Sequence, residues 1–415
     1  MHQQRIWSCC CYLAVILGAV LLVSVARAQG GTAATSSRTI DPAVGKVLNA
    51  AIELLNAKKY AEAEEAIAAL DEQTLSAFAH SRVEQILFNI AYSQKQYDDA
   101  REHLQNAIAA GGLNQEEVSQ VLYQSAQVLM VQERWSEGAA ALEHWFSSVV
   151  NPNGNAYYLL AVAYYQMGDY ERALPAVQRA IAMSDQPQET WLRMVVALQI
   201  KAGRYEDAIP VLQQLVALVP DKKTYWMQLS SAYGKKEDYR SALAIMQLAY
   251  NAGLVTEDSE IRRFVDLLTF NEVPARGARV LEAAIASKSV TLDDKLYEKL
   301  ANCWIAAGEY DKALPPLERA AELAATGNLF VRLGELHVQR GEWGAAETAL
   351  GSGIAKGGLQ DPGQSDFLMG VALFEDERPQ GARAWFELAR QSDKWRDASR
   401  QYLDRIAGRV ASPVF

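Results

Sequence analysis

The sequence predicts an all-α protein: an α-solenoid superhelix of about ten helix pairs that ends in a terminal helix. Three observations predict this fold. A small residue recurs ten times at spacings of 33 to 38 residues, an aromatic residue stands three positions before it in eight of the ten units, and an apolar residue always stands four positions after it. Such spacings place side chains on one face of an α-helix. A second amphipathic stretch lies upstream in each unit, so each unit is a helix pair.

The first 28 residues predict a secretory signal peptide. Arg5 is the only basic residue before an apolar run from Tyr12 to Val25, and Ala26-Arg27-Ala28 matches a cleavage site. The alternative is an uncleaved membrane anchor, but a spanning helix needs about 20 apolar residues and this run is shorter. We therefore expect cleavage after Ala28 and no direct membrane insertion of the mature chain.

Charge and cysteine content narrow the classes of partner. The formal net charge is −10, so phosphate backbones and anionic lipid surfaces do not attract the chain, and we expect no nucleic-acid partner. Three of the four cysteines fall within the signal segment. Only Cys303 remains, which leaves no intramolecular disulfide in a compartment that would permit one.

The mature chain is predicted to hold one continuous helical array. We expect a flexible segment at residues 29–41, the array at residues 42–406 and a C-terminal tail at residues 407–415. The repeat phase continues across the most loop-like join, around Asn151-Pro152-Asn153-Gly154, so no separate domain is predicted there. New helices are expected to begin at caps such as Asp41, Asn114 and Thr291.

The small residue marks the close approach of the two helices in each pair, where a larger side chain would overpack the core at a cost of roughly 1–3 kcal/mol. Two positions before the aromatic residue, four units carry a glycine that ends the first helix by accepting a left-handed backbone. These glycines are Gly168, Gly203, Gly308 and Gly341. The small residues are Ala63, Ala100, Gly138, Ala173, Ala208, Ala242, Gly277, Ala313, Ala346 and Ala382.

In period and pattern these units resemble the tetratricopeptide repeat (TPR) family across residues 42–406. Three shorter strings resemble secreted TPR proteins associated with TonB–ExbB–ExbD systems of Gram-negative bacteria: Arg332-Leu333-Gly334, Lys356 to Gly363, and Tyr225 to Leu229. This second resemblance implies a periplasmic location and a TonB-system partner.

An array of this kind presents an inner groove lined by the first helix of each pair. Counting 15, 11, 8 and 7 positions back from the small residue gives the side chains that are expected to line it. Tyr, Met and Arg among them are enriched in interface cores and hot spots. The predicted partner-binding residues are Gln85, Asn89, Tyr92, Tyr123, Gln127, Met130, Tyr158, Val162, Tyr165, Arg193, Lys201, Met227, Lys235 and Arg262.

The basic members of this set fall in consecutive units of an otherwise acidic chain. Arg193, Lys201, Lys235 and Arg262 predict a basic stripe, and hence a peptide ligand with acidic residues or a free carboxylate. The Lys and Asn pattern of carboxylate-clamp TPR proteins is not reproduced.

No catalytic, cofactor or metal site is predicted. The histidines outside the signal segment show no metal-ligand spacing with one another or with Cys303. We expect Cys303 to be a buried, inert thiol and His337 to be a packed ring. The leading function is therefore a periplasmic scaffold for protein binding, accessory to a TonB-type system. The alternative is an envelope assembly factor that organises a polysaccharide-export or cell-wall complex.

Overall fold

The computed structural model of the protein describes residues 38–411. The predicted signal peptide and most of the predicted flexible segment lie outside the described residues. The chain divides into two compact units, Met1–Arg204 and Tyr205–Phe415. Within the described residues all regular structure is helical, as the repeat pattern predicted, and both units have α-solenoid architecture.

The first unit has nine α-helices in its described part, residues 38–204, and a short 3-10 turn at Glu72–Thr74. The α-helices are α1 Pro42–Asn56, α2 Tyr60–Ala68, α3 Ala77–Ser93, α4 Tyr97–Ala109, α5 Gln115–Val131, α6 Trp135–Ser148, α7 Gly154–Met167, α8 Tyr170–Ala182 and α9 Glu189–Lys201.

The second unit has twelve α-helices in its described part, residues 205–411. They are α10 Tyr205–Leu218, α11 Lys223–Lys235, α12 Tyr239–Asn251, α13 Asp258–Phe270, α14 Pro274–Ala286, α15 Asp294–Ala306, α16 Tyr310–Leu323, α17 Asn328–Gln339, α18 Trp343–Lys356, α19 Pro362–Glu375, α20 Pro379–Ala389 and α21 Arg396–Ala411.

Helices pack in pairs within each unit, α1 on α2 through α7 on α8 in the first and α11 on α12 through α19 on α20 in the second. We call the first helix of a pair helix A and the second helix B; α9 has the sequence of a helix A and α10 that of a helix B. Two predicted starts are confirmed. Asp41 accepts from the Ala43 N–H, and Asn114 forms a capping box with Glu117. The third is wrong, because Asp293 rather than Thr291 caps α15.

The core of each pair forms around the recurring small residue. All eight alanines of that set are fully buried, and Gly138 and Gly277 are buried too. The apolar residue four positions later is buried in every unit, for example Leu104, Leu212 and Phe386. At Gly277, an added Cβ would lie 3.3 Å from Val265 Cγ1 of the partner helix. The small residue therefore lies at a close, fully buried contact of the pair, as predicted.

Every one of the ten A-to-B turns contains a left-handed residue, not only the four that carry glycine. At the other six turns the residue is Lys or Glu, for example Lys95 with φ 64° and Glu237 with φ 63°. The Lys95 N–H donates to Tyr92 O and the Gln96 N–H to Ala91 O, which is the Schellman pattern. The ten residues are Lys58, Lys95, Glu133, Gly168, Gly203, Glu237, Glu272, Gly308, Gly341 and Glu377.

The string Lys356 to Gly363, which connects α18 to α19, hydrogen-bonds to the connection between α16 and α17. Lys356 Nζ donates to the last carbonyls of α16, at 2.8 Å from Ala321 O and 2.9 Å from Glu322 O. The Gly327 N–H donates to Gly357 O at 2.8 Å. Gly327 lies so close to Gly353 that an added Cβ would be 2.0 Å from its carbonyl oxygen. This string therefore has a packing role in the second unit.

The last helix extends further than the sequence indicated. Helix α21 continues to Ala411, so the first five residues assigned to the C-terminal tail are helical. No proline occurs between Pro379 and Pro413, and Ala and Arg favour helix. Among residues 38–411 no helix is both long and apolar enough to cross a membrane.

The left-handed turns make a testable prediction. A non-glycine residue in this conformation costs roughly 1–2 kcal/mol, so Glu237→Gly is expected to raise the free energy of unfolding by about 1 kcal/mol in chemical denaturation. The control is Glu318→Gly, at an exposed position inside α16, which should lower it by about 1 kcal/mol. Equal destabilisation by both variants would contradict the left-handed assignment.

Candidate functional site

The A helices of successive pairs lie side by side within each unit. In the first unit, Arg82 of α3 is 2.9 Å from Glu117 of α5, and Tyr158 of α7 stacks on Trp191 of α9 with ring centroids 5.8 Å apart. The predicted binding residues of this unit that retain exposed surface define what we call the unit 1 A face. They are Gln85, Asn89, Tyr92, Tyr123, Gln127, Tyr165, Arg193 and Lys201.

Three residues predicted to line the groove belong to the core instead. Met130, Tyr158 and Val162 have exposed fractions of 3%, 6% and 4%. Tyr158 is covered by Trp191, a residue of the next pair. Met130 packs where Gly138 lacks a side chain, since an added Cβ there would lie 2.7 Å from its sulfur. Neighbouring elements therefore remove these three side chains from the accessible surface.

Helix α3 presents amide groups beside an aromatic cluster. Gln85 Oε1 accepts from Arg82, and Asn89 Nδ2 donates to the carbonyl of Gln85 at 2.7 Å. Tyr92 lies 5.7 Å from the Tyr97 ring. Burial raises the pKa of the Tyr92 hydroxyl, and the charge of Tyr97 adds to that effect. These hydrogen bonds use the Gln85 amide oxygen and the Asn89 amide nitrogen. The other amide atom of each side chain, the Gln85 nitrogen and the Asn89 oxygen, can therefore contact a ligand.

Helix α5 contributes Tyr123, whose ring packs against a tryptophan of α6. The Tyr123 ring lies 4.8 Å from the Trp145 ring, and burial raises the pKa of its hydroxyl to about 12. The Gln127 side chain, one turn later, has a smaller and opposite effect on the pKa of that hydroxyl. The pair presents one uncharged amide and one neutral phenol.

Helices α7 and α9 add a tyrosine pair and the two cations of the unit 1 A face. Tyr165 packs edge-on against Tyr170 at 5.5 Å. Lys201 donates to the Tyr170 hydroxyl at 2.9 Å and lies 4.1 Å from its ring centroid, and that hydrogen bond raises the pKa of the ammonium. Arg193 is half-buried. These are contacts of the kind found at interface hot spots.

In the second unit, Arg262 of the predicted basic stripe already forms ion pairs within the protein. Arg262 lies between Asp258 and Asp293, 2.5 Å and 3.1 Å away, and also donates to the Thr291 carbonyl at 3.0 Å. Burial lowers the pKa of its guanidinium, but the hydrogen bonds to both carboxylates outweigh that effect and raise it. Met227 is half-buried and packs on the core, which leaves Lys235 as the exposed cation of the predicted set here.

Ion pairs link the A helices of the second unit one to the next, which sequence counting missed. The sequence does contain a signal for these pairs, because a basic residue on one A helix lies about 34 positions from an acidic residue on the next. We call these contacts the unit 2 ladder: Lys223 to Glu260, Arg262 to Asp293, Lys299 to Asp266, and Arg332 to Glu298. The two A faces thus differ, since that of unit 1 is mostly uncharged, whereas in unit 2 four ion pairs link the A helices and Lys235 stays exposed.

Two other side chains that the sequence analysis considered, Cys303 and His337, are packed. Cys303 is buried, and burial raises the pKa of its thiol, as expected of an unreactive cysteine. His337 is largely buried, with Nδ1 2.6 Å from Glu342. Within residues 38–411 no group of three or more His, Cys, Asp or Glu side chains is placed to hold a metal ion.

Comparison with known proteins agrees with the repeat geometry. Two family models described as tetratricopeptide repeat match the chain, one over residues 154–186 and the other over residues 198–254 and 331–407. In these three segments the chain is similar to tetratricopeptide repeats. Proteins built from such repeats offer extended surfaces for binding other proteins. No curated protein matches the sequence.

Solved TPR structures resemble the chain only distantly. YrrB, described as a TPR protein with an unusual peptide-binding site, is 17% identical over 42% of this chain and 85% of its own, with a TM-score of 0.35. A TPR protein from Parabacteroides merdae is 14% identical over 71% and 99%, also with a TM-score of 0.35. MamA from Desulfovibrio magneticus RS-1 is 18% identical over 49% and 94%, with a TM-score of 0.28. At these values the likenesses carry no argument about partners.

The unit 2 ladder predicts how two cations of the predicted set differ. Arg262→Ala should lower the free energy of unfolding by about 1 kcal/mol, because it leaves two carboxylates without their shared donor. The loss should shrink in high salt. Lys235→Ala, at an exposed position, should stay within about 0.5 kcal/mol of the wild type. Denaturant melts of both variants at low and high salt measure this, and identical melts would refute the assignment of Arg262 to the ladder.

Proposed function

We propose that the chain is an exported, periplasmic scaffold that binds an extended segment of a partner protein on the unit 1 A face. The observation that carries the proposal is the contrast between the two A faces. In the first unit the amides and tyrosines keep hydrogen-bonding atoms and ring surface exposed. In the second unit four ion pairs link the A helices, and Lys235 is the exposed cation of the predicted set.

The chemistry of the unit 1 A face favours a ligand of low charge. Side-chain amides such as those of Gln85 and Gln127 both donate and accept hydrogen bonds, which suits the alternating groups of an extended main chain. Tyr92 and Tyr165 supply rigid contact area at little entropic cost. The predicted basic stripe favoured an acidic ligand. Arg262 already pairs with two carboxylates of the protein itself, so the case for an acidic ligand is weaker.

Export is supported by the sequence of residues 1–28. A basic residue, an apolar run and Ala26-Arg27-Ala28 together favour cleavage by a signal peptidase. The proposed periplasmic location and TonB-type partner derive from the resemblance of the three short strings to secreted proteins of that system. One of those strings packs two joins of the second unit, so it supports the proposal as a mark of relatedness and not as a contact site.

The experiment is a peptide array that tiles TonB, ExbB and ExbD, probed with the chain from Gln29. A selected peptide is then titrated with the wild type, with Tyr165→Ala and Gln127→Ala, and with Arg383→Ala as a control on the exposed surface of α20. We expect each A-face variant to weaken binding at least tenfold, about 1.4 kcal/mol, and the control to match the wild type.

Two results would count against the proposal. Unchanged affinity in both A-face variants would remove the unit 1 A face as the binding surface. Binding restricted to peptides from cell-wall or polysaccharide-export proteins, added to the array as a second set, would favour the envelope assembly factor over the TonB-type accessory.

A further inference from the structure

One helix pair carries two ionisable side chains at positions where the other pairs are apolar, with Asp366 of α19 as the one exception. Sixteen positions before the small residue, eight of the ten units have an apolar or aromatic residue, but α3 has Glu84. Three positions after the small residue, nine units have an apolar residue, but α4 has His103. A charged couple inside a packed layer is weak evidence for stability, and switching is among its attested uses.

The geometry joins the two side chains across the pair. His103 Nδ1 lies 2.7 Å from Glu84 Oε2, while the other carboxylate oxygen lies 3.7 Å from His80 Nε2. Glu84 is only 8% exposed. Its carboxylate is therefore held between two imidazoles, and it depends on them for compensation of a largely buried charge.

His103 is open to solvent on its other side. It lines a hollow between α2, α3 and α4, so protons can reach its ring without unfolding. Apart from His103, the charged side chains that line this hollow are all acidic: Glu64 from α2, and Asp99 and Glu102 from α4. Together with Glu84 of α3 they favour the imidazolium.

We propose that the Glu84–His103 couple is a pH-sensitive clamp on α3, the helix that carries Gln85, Asn89 and Tyr92. With His103 protonated, an ion pair holds α3 against α4. With His103 neutral, a hydrogen bond can remain, but the buried carboxylate loses its compensating charge and the contact loosens. The inference rests on the proposed function only in treating those three residues as part of a binding face.

The sign of the pH effect follows from linkage. The hydrogen bond to Glu84 raises the pKa of His103 above its ordinary value of 6.5, against the opposing effect of burial. The clamp is therefore fully present below pH 6.5 and is lost as pH rises through the raised pKa of the folded state. Titration of the wild type by NMR should give His103 a pKa above 6.5.

Hydrogen exchange measures the clamp directly. From pH 6 to pH 8, after correction for intrinsic exchange, amide protection in α3 and α4 should fall by about tenfold for each unit by which the pKa is raised. Protection in α11 to α16 of the second unit, which contain no histidine, should not change. The variant Glu84→Leu with His103→Ala copies the couple that α5 and α6 carry, Leu122 with Ala141, and should abolish the effect.

A His103 pKa at or below 6.5, or the same pH dependence in the double variant, would overturn the clamp. Should the double variant fail to fold, the NMR titration of the wild type still decides. Neither measurement involves a partner, so failure of the clamp is distinguishable from failure of the proposed function.

Discussion

The structure depends on the close contact between the two helices of each pair at the recurring small residue. Ala63, Ala173 and Ala313 are among those with no exposed surface, and each is followed one turn later by a buried apolar side chain. Two helices can approach this closely only where side chains are minimal. The contact fixes which side of helix A faces helix B, and so determines which side is left for other purposes.

The freedom of that remaining side explains the different chemistry of the two units. Gln85 and Gln127 in the first unit occupy the same repeat positions, 15 and 11 residues before the small residue, as Arg262 and Asp266 in the second. The packing between helices A and B constrains neither set. In one unit these positions hold uncharged hydrogen-bonding groups, and in the other they link consecutive helices through ion pairs. The same repeat architecture thus carries a candidate binding surface in the first unit and a surface crossed by ion pairs in the second.

The sequence predicted what depends on residues close together in the chain. The register of the small residue was right in all ten units because helix periodicity alone determines it. The sequence did not predict the left-handed Lys and Glu residues, because glycine is the residue whose presence indicates that conformation. Tyr158 and Arg262 could not be placed by counting, because Trp191 of the next pair covers the first and Asp293, 31 positions away, binds the second. Contacts between pairs depend on the identity of the neighbour, which a count within one pair does not contain.

The most direct measurement is the unfolding free energy of Ala173→Leu against that of Ala182→Leu. Both alanines belong to α8, but Ala173 is fully buried at the helix contact and Ala182 is exposed. Overpacking should cost Ala173→Leu about 1–3 kcal/mol, while Ala182→Leu should stay within about 0.5 kcal/mol of the wild type. Equal stability of the two variants would contradict the claim that the small residue holds the helix pair together.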